Sequence, residues 1–128
     1  MELTSYRTMW IIIMFDLPVQ GPADRQNYAE FRRMLKRDGF SMLQYSVYGR
    51  HCPSDENAQV HIGRVESYLP PEGHVRILSV TEKQFERMRC YWGKMRTPPE
   101  EATRQLTFFL EPVRSQHLTG SEFRRGLV

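Results

Sequence analysis

The stretch Met9-Trp10-Ile11-Ile12-Ile13-Met14-Phe15-Asp16 decides the fold. Seven consecutive apolar residues leave neither face of an extended segment polar. That is the pattern of a strand buried on both sides in the middle of a sheet. The run is far shorter than the roughly 20 apolar residues a membrane-spanning helix needs. Asp16 and then Leu17-Pro18 end it, because proline has no N–H to give a ladder. The rest of the chain can be placed by asking what covers such a strand.

Downstream, Gly21-Pro22 sets a proline in the first turn of a helix, and Asp24 puts negative charge near its positive end. Tyr28, Phe31 and Leu35 form one apolar stripe with Met34 beside it, and Gly39 stops the helix. The other face carries Arg25, Arg32, Arg33, Lys36 and Arg37. Phe40 to His51 is extended, either as one long strand or as two strands meeting at a bend, with Leu43, Tyr45 and Val47 on one face. Pro53 closes it. Ser54, followed by Asp55 and Glu56, caps a second helix whose apolar positions are Ala58, Ile62, Val65 and Leu69, stopped by Pro70-Pro71. Val75, Ile77, Leu78 and Val80 make another strand, and Thr81-x-x-Gln84 is a capping box for a short helix to about Arg89. Residues 93–105 read as a loop, and Leu106 to Leu110 as a short final strand. Residues 1–110 are thus expected to form a single domain, and 111–128, which lack any period, a mobile C-terminal tail.

This order, βαββαβ with an extra C-terminal strand, predicts a ferredoxin-like α+β sandwich. Two helices cover one sheet face. The first strand is apolar on its other face as well, and the simplest cover for that face is a second copy of the chain. A homodimer is expected.

The 128 residues and 15.2 kDa fit one domain. Eighteen Lys+Arg against fifteen Asp+Glu give a net charge of +3, and 15 of the 18 basic residues are arginine. Arginine grips phosphate with a planar fork, although a GC-rich genome produces the same bias. No secretory signal stands at the N-terminus, so a cytoplasmic protein without membrane contact is expected. Cys52 and Cys90 form no CxxC and read as free thiols. Dinucleotide, P-loop and HExxH motifs are absent, as is the basic-aromatic signature of an RNA-recognition motif.

Asp16 is the sharpest chemical point. A carboxylate at the end of a buried strand is either a turn residue bonded to its own backbone or a ligand for a hard cation such as Mg²⁺, with Mn²⁺ as the variant. Two copies about a twofold axis would place two such carboxylates around one metal. The basic helix face is either a solvated surface or a contact for nucleic-acid phosphates. Tyr6, Tyr45, Tyr48, Tyr91 and Trp92 are core aromatics or stacking platforms for bases. His51, His61, His74 and His117 share no motif and read as surface or packing residues.

Three segments together resemble the second CRISPR-associated protein family. They are Met14-Phe15-Asp16-Leu17-Pro18, the helix residues Tyr28, Phe31-Arg32-Arg33 and Leu35, and Gly39-Phe40-x-Met42-Leu43-Gln44-Tyr45-Ser46-Val47-Tyr48. Ile62-Gly63-Arg64 and the block Leu78 to Met88 look like the subgroup that accompanies type II CRISPR systems. The resemblance covers about Tyr6 to Leu110. It implies a homodimer whose C-terminal strand completes the partner's sheet. It also implies a scaffold for spacer acquisition in antiviral defense, bridging dimers of the CRISPR integrase (the first CRISPR-associated protein) and holding double-stranded DNA. Several members are metal-dependent endonucleases on RNA or DNA that use the strand-end aspartate, which here is Asp16. Phe15 stands where many members have tyrosine, and Met42 where other branches have arginine. Both changes weigh toward the scaffold role. The alternatives are a stand-alone Mg²⁺-dependent endonuclease and a toxin-like RNA-binding ferredoxin domain.

Overall fold

A computed structural model describes residues 7–102 of the chain. Its elements follow the order β1 (Met9–Asp16), α1 (Pro22–Arg37), β2 (Ser41–Gln44), β3 (Val47–Cys52), α2 (Asp55–Glu66), β4 (His74–Thr81), α3 (Glu82–Glu86), β5 (Cys90–Trp92) and β6 (Met95–Thr97). Four strands make an antiparallel sheet in the order β2-β3-β1-β4. The expected central strand is β1, paired with β4 from Met9↔Thr81 to Asp16↔His74 and with β3 from Met9↔Cys52 to Met14↔Val47. Together with α1 and α2 this is the ferredoxin-like α+β arrangement.

Alternation along β1 sends Ile11, Ile13 and Phe15 to the face covered by helices. There they join Phe31, Met34 and Leu35 of α1 and Ala58 and Val65 of α2 in one buried cluster. Phe15 meets the Phe31 ring edge to face, with centroids 5.2 Å apart. The C-terminus of α1 is closed by Phe40 N–H donating to the Leu35 carbonyl at 2.9 Å and Gly39 N–H to Lys36 at 3.1 Å. Gly39 takes φ +90°, and the Arg50 guanidinium lies 3.0 Å from where a Cβ would stand. Next to it, the Asp38 carboxylate accepts from Arg64 Nη1 at 2.7 Å and pairs with His61 Nδ1 at 2.8 Å, while Arg50 Nε donates to the Asp38 carbonyl at 2.8 Å. One residue thus ties α1 to α2 and β3.

The opposite sheet face holds Trp10, Ile12, Met14 and Asp16 from β1. The chain covers one end of it with its own α3, where Phe85 stacks on Trp10 at 4.0 Å and 9°. Glu82 accepts from Thr8 Oγ1 at 2.5 Å and lies 3.3 Å from His51 Nε2. Toward the other end Ile12 and Met14 are half-buried and Leu78 is exposed. The surface expected to await a second copy is therefore only part of this face.

Several local readings need correction. The second helix ends at Glu66, so Leu69 lies outside it and is exposed. His61 occupies the buried position instead, its polarity met by Asp38. Of the two alternatives for the long extended segment, the two-strand one is present, with β2 and β3 joined at Tyr45-Ser46 and a register shift between Met42 and Gln44. That bulge places Leu43 against Gly49 and frees Tyr45 from the expected strand face. The first part of residues 93–105 is not loop, because β5 and β6 pair as a hairpin with a two-residue Gly93-Lys94 turn. The short helix carries the expected Thr81/Gln84 capping box but stops at Glu86. Cys52 and Cys90 are free. No helix among the described residues is long and apolar enough to cross a membrane. The expected strand at 106–110, the expected tail at 111–128, Tyr6 and His117 all lie outside the described residues.

Candidate active site

Asp16 is the last residue of β1, on the face opposite the helices, and it is exposed. Three features of the chain fix its position. On one side it is in register with His74 at the start of β4, also exposed. Directly opposed residues of an antiparallel pair point to the same face. Behind it lies Gly73, at φ +102°. A Cβ there would stand 2.7 Å from the Asp16 carbonyl oxygen and 2.7 Å from Leu17 Cδ2. Only glycine lets the β4 approach pass so close to the end of β1. On the other side Phe15 N–H donates to the Ser46 carbonyl at 3.0 Å, which locks the β2–β3 turn beside Asp16. Ser46 itself is held at φ +63°, the one non-glycine residue in the left-handed region among those described. A strained turn and a glycine-only approach thus flank the same carboxylate, and strain of this kind concentrates at functional sites.

An aromatic-cationic cluster sits behind the same turn. Tyr48 is fully buried, and its hydroxyl accepts from Arg32 Nε at 3.0 Å. Burial pushes the Tyr48 hydroxyl above its ordinary range against the pull of Arg32. The Arg32 guanidinium also lies 5.7 Å from the centre of the Tyr28 ring. A hydrogen bond to Tyr28, with desolvation, raises the half-exposed Tyr45 hydroxyl. Of the five basic positions expected on α1, Arg32 is thus turned inward to hold tyrosines. Arg25, Arg33, Lys36 and Arg37 are exposed. Desolvation, then the Arg32 charge, lowers the Lys36 ammonium. Of the expected stacking aromatics, Tyr48 belongs to the core, whereas Tyr45, Tyr91 and Trp92 are exposed.

A shallow cleft of about 190 Å³ opens beside Asp16 and is bounded by Leu17, Pro18, Asp24, Asn27, Pro71 and Glu72. Its two carboxylates repel phosphate, so it is a poor groove for nucleic acid. Among the described residues no three His, Cys, Asp or Glu side chains come together to hold a metal. One exposed carboxylate suits Mg²⁺, which keeps several waters and takes few protein ligands. It does not suit the closed four-ligand set of a structural zinc. Sequence reasoning located Asp16 and missed Ser46, Gly73 and His74. The Pro70-Pro71-Glu72-Gly73 punctuation signalled a tight approach to the strand, but nothing local says that its target is the end of β1.

The fold and site define a small ferredoxin-like α+β protein with a solvent-facing carboxylate at the end of its central strand. The family model described as CRISPR associated protein Cas2 matches residues 9–88, and the chain belongs to this family. A protein of Parvibaculum lavamentivorans named CRISPR-associated endoribonuclease Cas2 is 50% identical over 101 residues, covering 79% of this chain and 100% of that protein. One of the same name from Flavobacterium psychrophilum is 41% identical over 108 residues, 84% of this chain and 94% of that protein. A solved structure entitled "Crystal structure of cas2" aligns with a TM-score of 0.44 at 18% identity, covering 58% of this chain and 76% of that one.

Proposed function

We propose that this chain is a CRISPR-associated endonuclease that hydrolyses RNA phosphodiesters with Mg²⁺ at Asp16, acting as a homodimer. The observation that carries the reading is the setting of Asp16: exposed, at a strand end, between a strained Ser46 turn and a glycine-only contact at Gly73. The relatives named as endoribonucleases support it. Asp16 would hold the metal through a carboxylate oxygen, and the same residue of a second copy would supply another. When bound, the metal supplies charge neutralisation at the phosphate and activation of water. The chain's own part is positional. The Phe15–Ser46 hydrogen bond and the Gly73 contact hold the backbone that carries Asp16, and Arg25, Arg33 and Arg37 offer charge for the flanking phosphates. The apolar strip of Ile12, Met14 and Leu78 supports the dimer.

The test is cleavage of labelled RNA in MgCl₂ by the unaltered chain and by Asp16→Ala. Cleavage should stop in the variant and in EDTA, with an unchanged circular dichroism spectrum. Equal cleavage by Asp16→Ala would falsify the assignment. A twofold mass in sedimentation equilibrium tests the dimer.

The exposed arginines of α1 favour a second reading, the spacer-acquisition scaffold that binds duplex DNA and bridges integrase dimers in the cytoplasm. It predicts duplex binding whose logarithm falls with log salt, and Arg33→Ala with Arg37→Ala should lower that slope by about two. If the integrase and this chain fail to co-elute with or without duplex, this reading falls.

A further inference from the structure

The β5–β6 hairpin lies beyond the residues that the family model matches, and it forms a two-stranded sheet separate from the β2-β3-β1-β4 sheet. It also carries some of the most exposed large side chains described: Tyr91 at 57%, Met95 at 69% and Trp92 at 70%. Burying such groups is what a two-stranded hairpin normally needs to persist. The segment 87–97 contains Arg87, Arg89, Lys94 and Arg96 and no acidic residue. All four cations are exposed. Register pairs Tyr91 with Arg96 and Trp92 with Met95. One hairpin face therefore presents an aromatic beside a cation, and the other an aromatic beside a thioether.

We propose that this hairpin is a binding site for a single-stranded nucleic acid that passes around its edge, with Trp92 on one face and Tyr91 on the other each stacking on an unpaired base and Lys94, Arg96, Arg87 and Arg89 pairing with the phosphates. Flat aromatic side chains flanked by cations form the sequence-tolerant stacking platform that single strands use. A duplex offers its phosphates but hides the faces of its bases, so it would use only half of the surface. A second copy of the hairpin is a poor occupant, because four cations would face four cations. An acidic protein would meet the charge, but its carboxylates do not stack on Trp92 or Tyr91, whereas every nucleotide of a single strand brings both a phosphate and a flat base. The site goes beyond the Asp16 reading, and it would deliver a strand to the protein without taking part in cleavage.

The chain reports on this site through its own fluorescence. It has two tryptophans, and Trp10 is 1% exposed and stacked on Phe85, so a stacking ligand alters the emission of Trp92 alone. The full chain is titrated at low salt with oligothymidylate and oligouridylate of roughly 12 nucleotides and with a blunt duplex of that length. Single strands should quench the emission, and the duplex should leave it unchanged. Trp92→Ala should weaken single-strand binding, read by anisotropy of a labelled oligonucleotide, about tenfold, and Trp92→Phe should restore most of it. Quenching by one oligonucleotide and not the other shows a preference between the deoxy and ribo strands used, and either result supports the site. Asp16→Ala should bind the single strand like the unaltered chain, which separates this site from the proposed cleavage centre. Equal affinity of Trp92→Ala and the unaltered chain for single strands, or equal quenching by duplex, overturns the proposal.

Discussion

The two ends of β1 are built in opposite ways. At the Met9 end Trp10 is buried, stacked on Phe85, and flanked by the Thr8–Glu82–His51 contacts. The side chains named there are paired or packed, and none of those residues has a positive φ. At the Asp16 end the carboxylate faces solvent, Ser46 is held at φ +63°, and Gly73 is pressed against the Asp16 carbonyl. One strand serves two purposes. Its first half anchors the fold, and its second half carries a polar group that burial would neutralise. A carboxylate left in water keeps its charge without a desolvation cost, and the chain holds the Asp16 backbone from behind through the Gly73 and Ser46 contacts.

The largest expected effect falls on the anchored end. Trp10→Ala removes a fully buried ring and its stacked partner contact. It should lower the unfolding free energy by about 3–5 kcal/mol in urea titration. A loss below 1 kcal/mol would mean that α3 does not seal this face, and the contrast between the two ends would collapse. Next comes Gly73→Ala. The added Cβ meets the Asp16 carbonyl at 2.7 Å in a backbone region that side chains avoid, and the cost should be about 2 kcal/mol or more. RNA cleavage by this variant should drop further than its folded fraction does, because the displaced group is the backbone of Asp16. Parallel loss of cleavage and folded fraction would demote Gly73 to a purely structural residue.

The anchored end was legible in the sequence because it rests on local patterns. Seven apolar residues announced a central strand, and Thr81-x-x-Gln84 announced the cap that starts α3. The Asp16 carboxylate was legible too, since a lone charge at the end of an apolar run is conspicuous. Its surroundings were not. Gly73 and Ser46 reach Asp16 from β4 and from the β2–β3 turn, and those contacts exist only once the sheet order is fixed. The β5–β6 hairpin was missed for a different reason. Its strands are three residues long, and Gly, Pro and charge around them read as loop. Leu69 failed in the other direction, because a periodic pattern extends past the point where Ser67 and Tyr68 leave the helix.

A smaller effect, at the Tyr48 cluster behind the Asp16 end, is read through pH. Burial holds the Tyr48 hydroxyl above its ordinary value near 10, so the folded chain keeps this proton more tightly than the unfolded chain. The stability it contributes is fully present below pH of about 10 and is lost as pH rises through the folded value. Tyr48→Phe should therefore cost about 1 kcal/mol at neutral pH, through the lost Arg32 hydrogen bond, and should flatten the alkaline fall in urea midpoint above pH of about 10. Cys52, which burial also pushes up, leaves a residual slope. An alkaline limb of unchanged steepness in the variant would show that Tyr48 is not the group responsible.

The smallest effect tests whether the strain beside Asp16 is a cost the fold carries. Serine in the left-handed region is disfavoured by roughly 1–2 kcal/mol, and glycine is not. Glycine in turn gives the unfolded chain more freedom, at a cost of roughly 0.5–1 kcal/mol. The two terms nearly cancel, so Ser46→Gly should raise the unfolding free energy by only about 0.5 kcal/mol. Ser46→Val has no such relief and crowds a β-branched side chain into the same conformation, so it should lose about 1–2 kcal/mol. The pair separates strain from sequence-specific contact. If glycine destabilises the chain, the serine side chain makes an interaction that outweighs its backbone cost. If glycine stabilises it while slowing RNA cleavage, the stiffness of the turn is what keeps Asp16 in place, since the Phe15–Ser46 hydrogen bond is common to both variants.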